Sequence, residues 1–200
     1  YRSSAASDVY KRQFSDILVV PESMGLSYEM VEKKGPYFPK TIKTSNDIKN
    51  ISIPDVHDNL SYVFEAIKIT KSELKGKVPL IGFAGAPWTI FAYMIEGQGS
   101  KTFSKAKSFL YREPELSHQL LGLITETTIA YLKAQISSGA DLVQLFDSWA
   151  GILTHQQYEE FGMKYVHKIC HAIHEAPVTV FAKGAYSALE LSLIHISEPT

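Results

Sequence analysis

The chain has 200 residues and a formal net charge of -1, with 45% hydrophobic and 12% aromatic residues. This composition is typical of one globular domain, or part of a larger one, and the charge offers no electrostatic footprint for nucleic acid. Its one cysteine, Cys170, excludes an internal disulfide framework or thiolate metal cluster and fits a reducing, cytoplasmic location. No apolar run reaches the roughly 18 residues that a membrane-spanning helix needs, so we expect no membrane partner.

The coding sequences of the two ends of the chain can be reverse complements of each other. Residues 8–13 (DVYKRQ) can be encoded as GATGTGTATAAGAGACAG, whose reverse complement reads LSLIHI, the sequence of residues 191–196. Inverted copies of one adapter around a library fragment produce this relation, and the string resembles a transposase-based sequencing adapter. A Ser-rich transit peptide is the alternative for residues 1–13, but it leaves the second match unexplained. We therefore expect residues 1–13 and 191–200 to be adapter-derived and residues 14–190 to be native.

In chain order, residues 14–20 form a short apolar run that stops at Pro21, which predicts a buried strand containing Asp16. Residues 25–54 are rich in Gly, Pro, Lys and Asn and lack periodicity, which predicts a long irregular excursion with one short helix after Ser45. An amphipathic helix follows, with its apolar positions at Leu60, Val63, Phe64 and Ile67.

The second half alternates strands and helices. Residues 79–85, 141–146 and 177–182 are apolar runs that predict buried strands. Between them the pattern predicts helices over residues 88–95 and 103–111, a longer helix from Pro114 that ends before Gly139, and another helix over residues 158–173. Helices that alternate with near-continuous apolar strands indicate βα units and a parallel sheet. Either an open doubly wound sheet or a (β/α)8 TIM barrel fits, and four strands are about half of a barrel.

Functional groups in parallel α/β folds collect beyond the carboxyl ends of strands. Asp16 is a candidate because an acid in an apolar run must face a cavity or a partner, although it could also be a strand-start cap. Asp147 and Ser148 follow a strand and could equally cap a helix. Lys183 could bind an anion or extend to solvent. Tyr93, in an apolar helix, could be an ordinary core tyrosine.

Several common sites are not indicated by the sequence. It contains neither a dinucleotide-binding glycine fingerprint nor a phosphate-binding loop. His167, His171 and His174 lie on consecutive turns of one predicted helix, and such pairs can bind zinc. No acidic residue lies between the first two histidines to act as a base, so we favour a solvated helix face and predict no metal site.

Three motifs together resemble the uroporphyrinogen decarboxylase family. They are FSDILVVP at residues 14–21, GFAGAPWT at residues 82–89 running into YMIEG at residues 93–97, and QLFDSWAG at residues 144–151. The resemblance extends through residues 14–190, including KGPYFP at residues 34–39 and FAK at residues 181–183. It implies an incomplete (β/α)8 barrel from a cytoplasmic homodimer.

The resemblance also implies roles for single residues. Asp16 matches the central aspartate, which binds the pyrrole N–H groups of the substrate and is the expected catalytic residue. Tyr93 and Ser148 match substrate-contacting positions, and Phe83 matches an aromatic residue that lines the cleft. The implied reaction is decarboxylation of the four acetate arms of uroporphyrinogen III to coproporphyrinogen III. It needs no cofactor, because a protonated pyrrole ring serves as the electron sink.

One departure from the family concerns arginine. The substrate carries eight carboxylates, which call for several arginines, yet Arg112 is the only arginine within residues 14–190. The family's arginine-bearing segment precedes residue 14, and its C-terminal histidine lies beyond residue 190. We therefore expect the full-length product to be the enzyme and this chain to be inactive. Two alternatives remain: a barrel methyltransferase of the corrinoid or cobalamin-independent type, and a non-catalytic tetrapyrrole-binding protein.

Overall fold

A computed structural model of the chain describes residues 16–32 and 35–185. Its central feature is a three-stranded parallel sheet in the order β3-β4-β5, formed by Ile81–Gly85, Leu142–Asp147 and Val178–Ala182. Gly85 pairs with Phe146, and Phe146 pairs with Phe181, so the carboxyl ends of the three strands lie side by side. The prediction of a parallel α/β arrangement is confirmed.

The predicted helices are present with shifted ends, whereas the helix at Val19–Ser23 lies in a segment predicted as a strand and the one at Val56–Asn59 was not predicted. Most of the helices begin with proline or a polar cap and end at glycine or a polar residue. The helices are α1 Val19–Ser23, α2 Ser45–Lys49, α3 Val56–Asn59, α4 Ser61–Leu74, α5 Pro87–Glu96, α6 Ser104–Arg112, α7 Pro114–Ser137, α8 His155–Tyr158 and α9 Lys164–Ala172. A 3-10 turn at Ala150–Ile152 precedes α8, and a π-helical turn at Glu159–Met163 joins α8 to α9.

The strand predicted over residues 14–20 is wrong for the part that the structure describes. Residues 16–18 form a turn that leads into α1. The Asp16 carboxylate accepts a hydrogen bond from Leu18 N at 3.4 Å, and the Asp16 carbonyl accepts one from Val19 N at 3.3 Å. A side chain that bonds its own backbone in this way begins a helical turn, and Pro21 is tolerated in the first turn of a helix. Residues 14 and 15 lie outside the described residues.

The excursion over residues 25–54 holds more structure than its composition predicts. Helix α2 confirms the short helix, and its capping Thr44 forms a reciprocal capping box with Asp47. A small antiparallel hairpin, β1 Glu29–Val31 paired with β2 Gly35–Tyr37, was not predicted. Its strands have little alternation of apolar and polar residues, so no period-2 signal marks them.

The two faces of the parallel sheet differ in how they are covered. Ala84, Val143 and Leu145 are fully buried on the face that packs against helices, above all α7. The opposite face carries Phe83, Phe146 and Phe181, which are half-buried or exposed. Side chains of paired residues in a parallel sheet point to the same face, so these aromatic rings form one row. This face, which we call the open face, extends to the carboxyl ends of the three strands.

One edge of this sheet is closed by a side chain. Within the described residues β3 has no strand partner on its far side, and Gln135 of α7 occupies that edge. The Gln135 amide accepts from Phe83 N and donates to Phe83 O, both at 2.9 Å. Gln135 is almost fully buried, and its amide makes the two backbone hydrogen bonds with Phe83 that a neighbouring strand would otherwise make. None of the described helices has the length and apolar character needed to cross a membrane.

Candidate active site

The turn that follows β4 is held by a buried polar network. Asp147, the last residue of β4, is fully buried. Its Oδ1 accepts a hydrogen bond from the Thr89 hydroxyl at 2.7 Å, and its Oδ2 accepts one from the Tyr158 hydroxyl at 2.9 Å. The Thr89 hydroxyl oxygen in turn accepts from Trp149 N at 3.3 Å. The carboxylate thus connects α5 and α8 to the turn that carries Ser148.

The electrostatics of Asp147 follow from this burial. Desolvation raises its pKa from 3.8 to about 6, although the hydrogen bonds from Thr89 and Tyr158 act in the opposite direction. Burial, followed by the charge and hydrogen bond of Asp147, also raises the pKa of Tyr158 far above its usual range. The sequence is compatible with Asp147 as a helix cap or as a catalytic residue. In the structure Asp147 has neither position, because its side chain is fully buried and accepts from Thr89 and Tyr158. Asp147 is an internal support of the turn.

Tyr93 lies against this turn within a cluster of aromatic side chains. Its ring centroid is 5.7 Å from that of Phe103 and 6.3 Å from that of Trp149, and the last two are 4.7 Å apart. Burial raises the pKa of Tyr93, the nearby indole N–H of Trp149 lowers it, and the charge of Asp16 raises it. Tyr93 is therefore close to both Asp16 and the residue that follows Ser148, although α1, α5 and the β4 turn are distant in sequence.

Asp16 lies at the carboxyl end of β3. A Cβ on Gly85 would come within 3.1 Å of Ile17, so the residue next to Asp16 packs directly on the end of that strand. The pKa of Tyr28 is raised by burial, then by the charges of Asp16 and Glu22, and to a smaller degree by a hydrogen-bonding interaction with the Asp16 side chain. Asp16 is half-buried. Its carboxylate thus lies near the hydroxyl groups of Tyr28 and Tyr93 and is only partly buried.

The other sequence candidates lie around the same strand ends. Phe83, half-buried in β3, makes a T-shaped contact with Phe146 at 5.9 Å, on the open face of the sheet. Ser148 is half-buried directly after β4. Lys183 has an exposed side chain, and its backbone joins two turns: its N–H donates to Asp147 O at 3.1 Å, and its C=O accepts from Gly151 N at 2.9 Å. The structure therefore brings Asp16 and Tyr93 together and places Ser148 and Phe83 on neighbouring strands.

Sequence reasoning missed the residues that hold this site in place. Thr89, Trp149 and Tyr158 carry no motif of their own. Thr89 and Trp149 do lie inside the two family motifs at residues 82–89 and 144–151. Tyr28 lies in the excursion whose hairpin was not predicted. Their roles depend on contacts between residues far apart in the chain, so local patterns contain no signal for them.

Two further features of the described residues lie away from this site. A surface groove of about 760 Å³ runs between β2 and helices α5 and α6, and none of the four candidate residues lines it. No group of three or more His, Cys, Asp or Glu side chains in the described part of the chain has an arrangement suited to a metal ion. His171 is exposed and His167 is half-buried on α9, whereas His174 lies beyond the end of that helix, so the prediction that all three share one helix is wrong.

Comparison with known proteins decides the family. The sequence profile described as Uroporphyrinogen decarboxylase (URO-D) matches residues 11–194. The chain belongs to the uroporphyrinogen decarboxylase family. It is 52% identical over 178 residues to the uroporphyrinogen decarboxylase of Christiangramia forsetii, covering 88% of this chain and 52% of that protein. It is 49% identical over 187 residues to that of Schizosaccharomyces pombe, with the same coverage of both chains.

Two further comparisons concern the length and the fold of this member of the uroporphyrinogen decarboxylase family. The chain spans about half the length of the curated relatives it matches. A methyltransferase from Methanosarcina mazei has a similar structure, with a TM-score of 0.68 and 21% identity, covering 84% of this chain and 50% of that one. At this identity the likeness establishes the fold alone. The close relatives in sequence carry the decarboxylase name.

Proposed function

We propose that the full-length protein containing residues 14–190 removes the four acetate carboxyl groups of uroporphyrinogen III and yields coproporphyrinogen III without a cofactor. Relatives named uroporphyrinogen decarboxylase, about half identical across 88% of the chain, support the substrate class. The observation that carries the proposal is the position of Asp16. Asp16 lies near the carboxyl end of β3, where this class of fold binds ligands, and its charge acts on Tyr93.

The proposed chemistry needs an anionic group next to the reacting ring. A proton added to a pyrrole carbon makes the ring cationic, the bond to the leaving CO₂ breaks, and its electron pair enters the ring. The exocyclic carbon then takes up a proton to become a methyl group, and the ring carbon loses its proton. A carboxylate at Asp16 would accept hydrogen bonds from the pyrrole N–H groups and stabilise the cation. Tyr93 and Ser148 would contact substrate, and Phe83 would pack against the macrocycle.

The proposal extends to the architecture and surroundings of the whole protein. We infer that β3, β4 and β5 belong to an incomplete (β/α)8 barrel, about half of which lies in this chain. The parallel order, the row of aromatic residues on the open face and the similarity to the methyltransferase fold support this inference. We further propose that the full-length protein is a cytoplasmic homodimer that binds neither nucleic acid nor membrane. The adapter origin of residues 1–13 and 191–200 stays a prediction, since both lie outside the described residues.

The decisive experiment uses the full-length gene product without the adapter-derived ends. Conversion of uroporphyrinogen to coproporphyrinogen is measured anaerobically with a metal chelator present, for the wild type, Asp16→Asn and Asp58→Asn. Asp58 is an exposed helical aspartate and serves as the matched control. We expect kcat/KM to fall by at least about 100-fold in Asp16→Asn, because the developing positive charge loses its counterion, and to stay unchanged in Asp58→Asn.

Each other result would redirect the assignment. Full activity in Asp16→Asn would remove Asp16 from the mechanism and keep the family activity. Methyl transfer that the chelator abolishes, with no release of CO₂, would favour the methyltransferase alternative. Tight binding of the tetrapyrrole with no conversion would favour a non-catalytic binding protein.

A further inference from the structure

Trp149, in the turn after β4, is held through both its backbone and its ring. Its backbone N–H donates to the Thr89 hydroxyl at 3.3 Å, and its carbonyl accepts from Trp88 Nε1 at 3.0 Å. Its ring packs on Phe103 with centroids 4.7 Å apart. Thr89 is in turn bonded to the fully buried Asp147. The backbone N–H, the backbone carbonyl and the ring of Trp149 are therefore all engaged in contacts.

The indole N–H of Trp149 is buried. No partner among the described residues meets full hydrogen-bond geometry with Trp149 Nε1. A buried donor left without a partner costs about 1–3 kcal/mol, so a nearby acceptor is strongly favoured. Tyr93 is the neighbouring side chain with a hydroxyl group, and the indole N–H of Trp149 is near enough to lower the Tyr93 pKa against the effect of burial. The two ring centroids lie 6.3 Å apart in a T-shaped arrangement.

A hydroxyl group has one proton to donate and lone pairs that accept. When an indole N–H occupies a lone pair of Tyr93, the phenolic proton must point elsewhere. Ionised carboxylates of a substrate can only accept hydrogen bonds. A Tyr93 whose proton faces the cleft therefore presents a donor to such a substrate before it binds.

We propose that Trp149 is a positioning residue, whose indole N–H directs the hydroxyl proton of Tyr93 into the cleft. The proposal rests on the proposed function, because it requires Tyr93 to bind a carboxylate arm of the substrate. Preorganisation of this kind lowers the cost of binding, since the hydroxyl need not be reoriented.

The first test is a double-mutant cycle in the full-length protein, with Trp149→Phe, Tyr93→Phe and the double variant. Phenylalanine keeps the packing on Phe103 and removes the N–H. We expect Trp149→Phe to lower kcat/KM about tenfold, mainly through KM, because the bond to the carboxylate exists in the ground state and the transition state alike. In the Tyr93→Phe background the same substitution should have less than about a twofold effect. An undiminished tenfold loss in that background would overturn the proposal.

The second test does not depend on activity. The chain has two tryptophans, Trp88 and Trp149, so a ¹⁵N-labelled protein has two indole N–H resonances from this segment. Tyr93→Phe should shift the Trp149 resonance and leave that of Trp88, which is bonded to Trp149 O, in place. An unmoved Trp149 resonance would refute the contact, even if Trp149→Phe does not fold. If the wild type releases no CO₂ while the resonance shifts, the proposed function fails and the Trp149–Tyr93 contact stands.

Discussion

Asp147 illustrates how one buried group can support a site without taking part in its chemistry. Its carboxyl accepts hydrogen bonds from Thr89 and Tyr158, and no solvent reaches it. Desolvation nevertheless dominates and raises its pKa to about 6. A carboxylate with two donors still lacks the hydration that it has in the unfolded chain. Ionising Asp147 therefore opposes folding, and the turn that carries Ser148 and Trp149 is most stable when Asp147 is protonated.

This residue makes stability depend on pH in a defined direction. Between about pH 4 and pH 6 the folded state holds a proton that the unfolded state has released, so the free energy of unfolding falls as pH rises through this window. The shift corresponds to roughly 3 kcal/mol. In urea titrations of the full-length protein, Asp147→Asn should remove this downward slope. An identical pH profile in the wild type and the variant would contradict the assignment.

Asp141 is the matched control for that experiment. It is paired with Lys71 and accepts from Leu80 N, and both contacts lower its pKa. A lowered pKa has the opposite sign, since stability is present above the unfolded pKa and is lost as pH falls. Asp141→Asn should therefore leave the downward slope of the Asp147 window intact.

At the scale of elements, the π-helical turn between α8 and α9 aligns a side chain with the site. Gly162, in this turn, lies against the ring of Tyr158, and an added Cβ would overlap that ring. The extra residue of a π turn shifts the register of the helix, and such turns occur often at functional sites. In this structure the Tyr158 ring packs against the turn, and its hydroxyl donates to Asp147 Oδ2 at 2.9 Å.

Gly162→Ala should therefore displace Tyr158 and destabilise the protein. We expect a loss of about 1–3 kcal/mol in the free energy of unfolding, as for other overpacked positions. Gly122→Ala is the matched control, because Gly122 lies within α7 with no atom near its missing Cβ. That change should stabilise the helix by about 0.5–1 kcal/mol. Both values come from denaturant unfolding, and equal effects of the two substitutions would contradict this role of Gly162.

At the scale of the whole molecule, the sheet is unevenly covered. Helices bury one face, whereas Ile81 and Phe181 on the other face are 51% and 49% exposed. Exposed apolar side chains and an exposed sheet edge favour association with further polypeptide. The family relatives are about twice as long as this chain, so they contain additional sequence that could cover this face.

Residues 14–190 expressed alone should consequently bind a hydrophobic dye, associate in solution and release no CO₂ from uroporphyrinogen. The full-length protein should bind less dye and be active, because we expect its additional sequence to cover the open face. Dye fluorescence, light scattering and the decarboxylation assay on both proteins measure this difference. A monomeric, dye-free segment that unfolds cooperatively would contradict it.

The sequence by itself determined the elements with strong local signals. Apolar runs predicted β3, β4 and β5, and helical patterns predicted α4 through α7 and α9, because burial of one face imposes a regular spacing on the chain. The apolar run at residues 14–20 led to a wrong prediction of a strand. A short apolar segment fits a strand or a buried helix equally well, and only packing against α5 and α7 made it α1.

The motifs likewise named the family and the four candidate residues, Asp16, Phe83, Tyr93 and Ser148, whose roles stay predictions. Only the tertiary structure decided how these residues are held. Asp147 proved to be an internal support, Trp149 and Tyr28 proved to contact candidate residues, and Gln135 proved to close the edge of β3. The physical reason is that hydrogen bonds and desolvation depend on distances between groups far apart in sequence, whereas composition and periodicity report only which residues are to be buried.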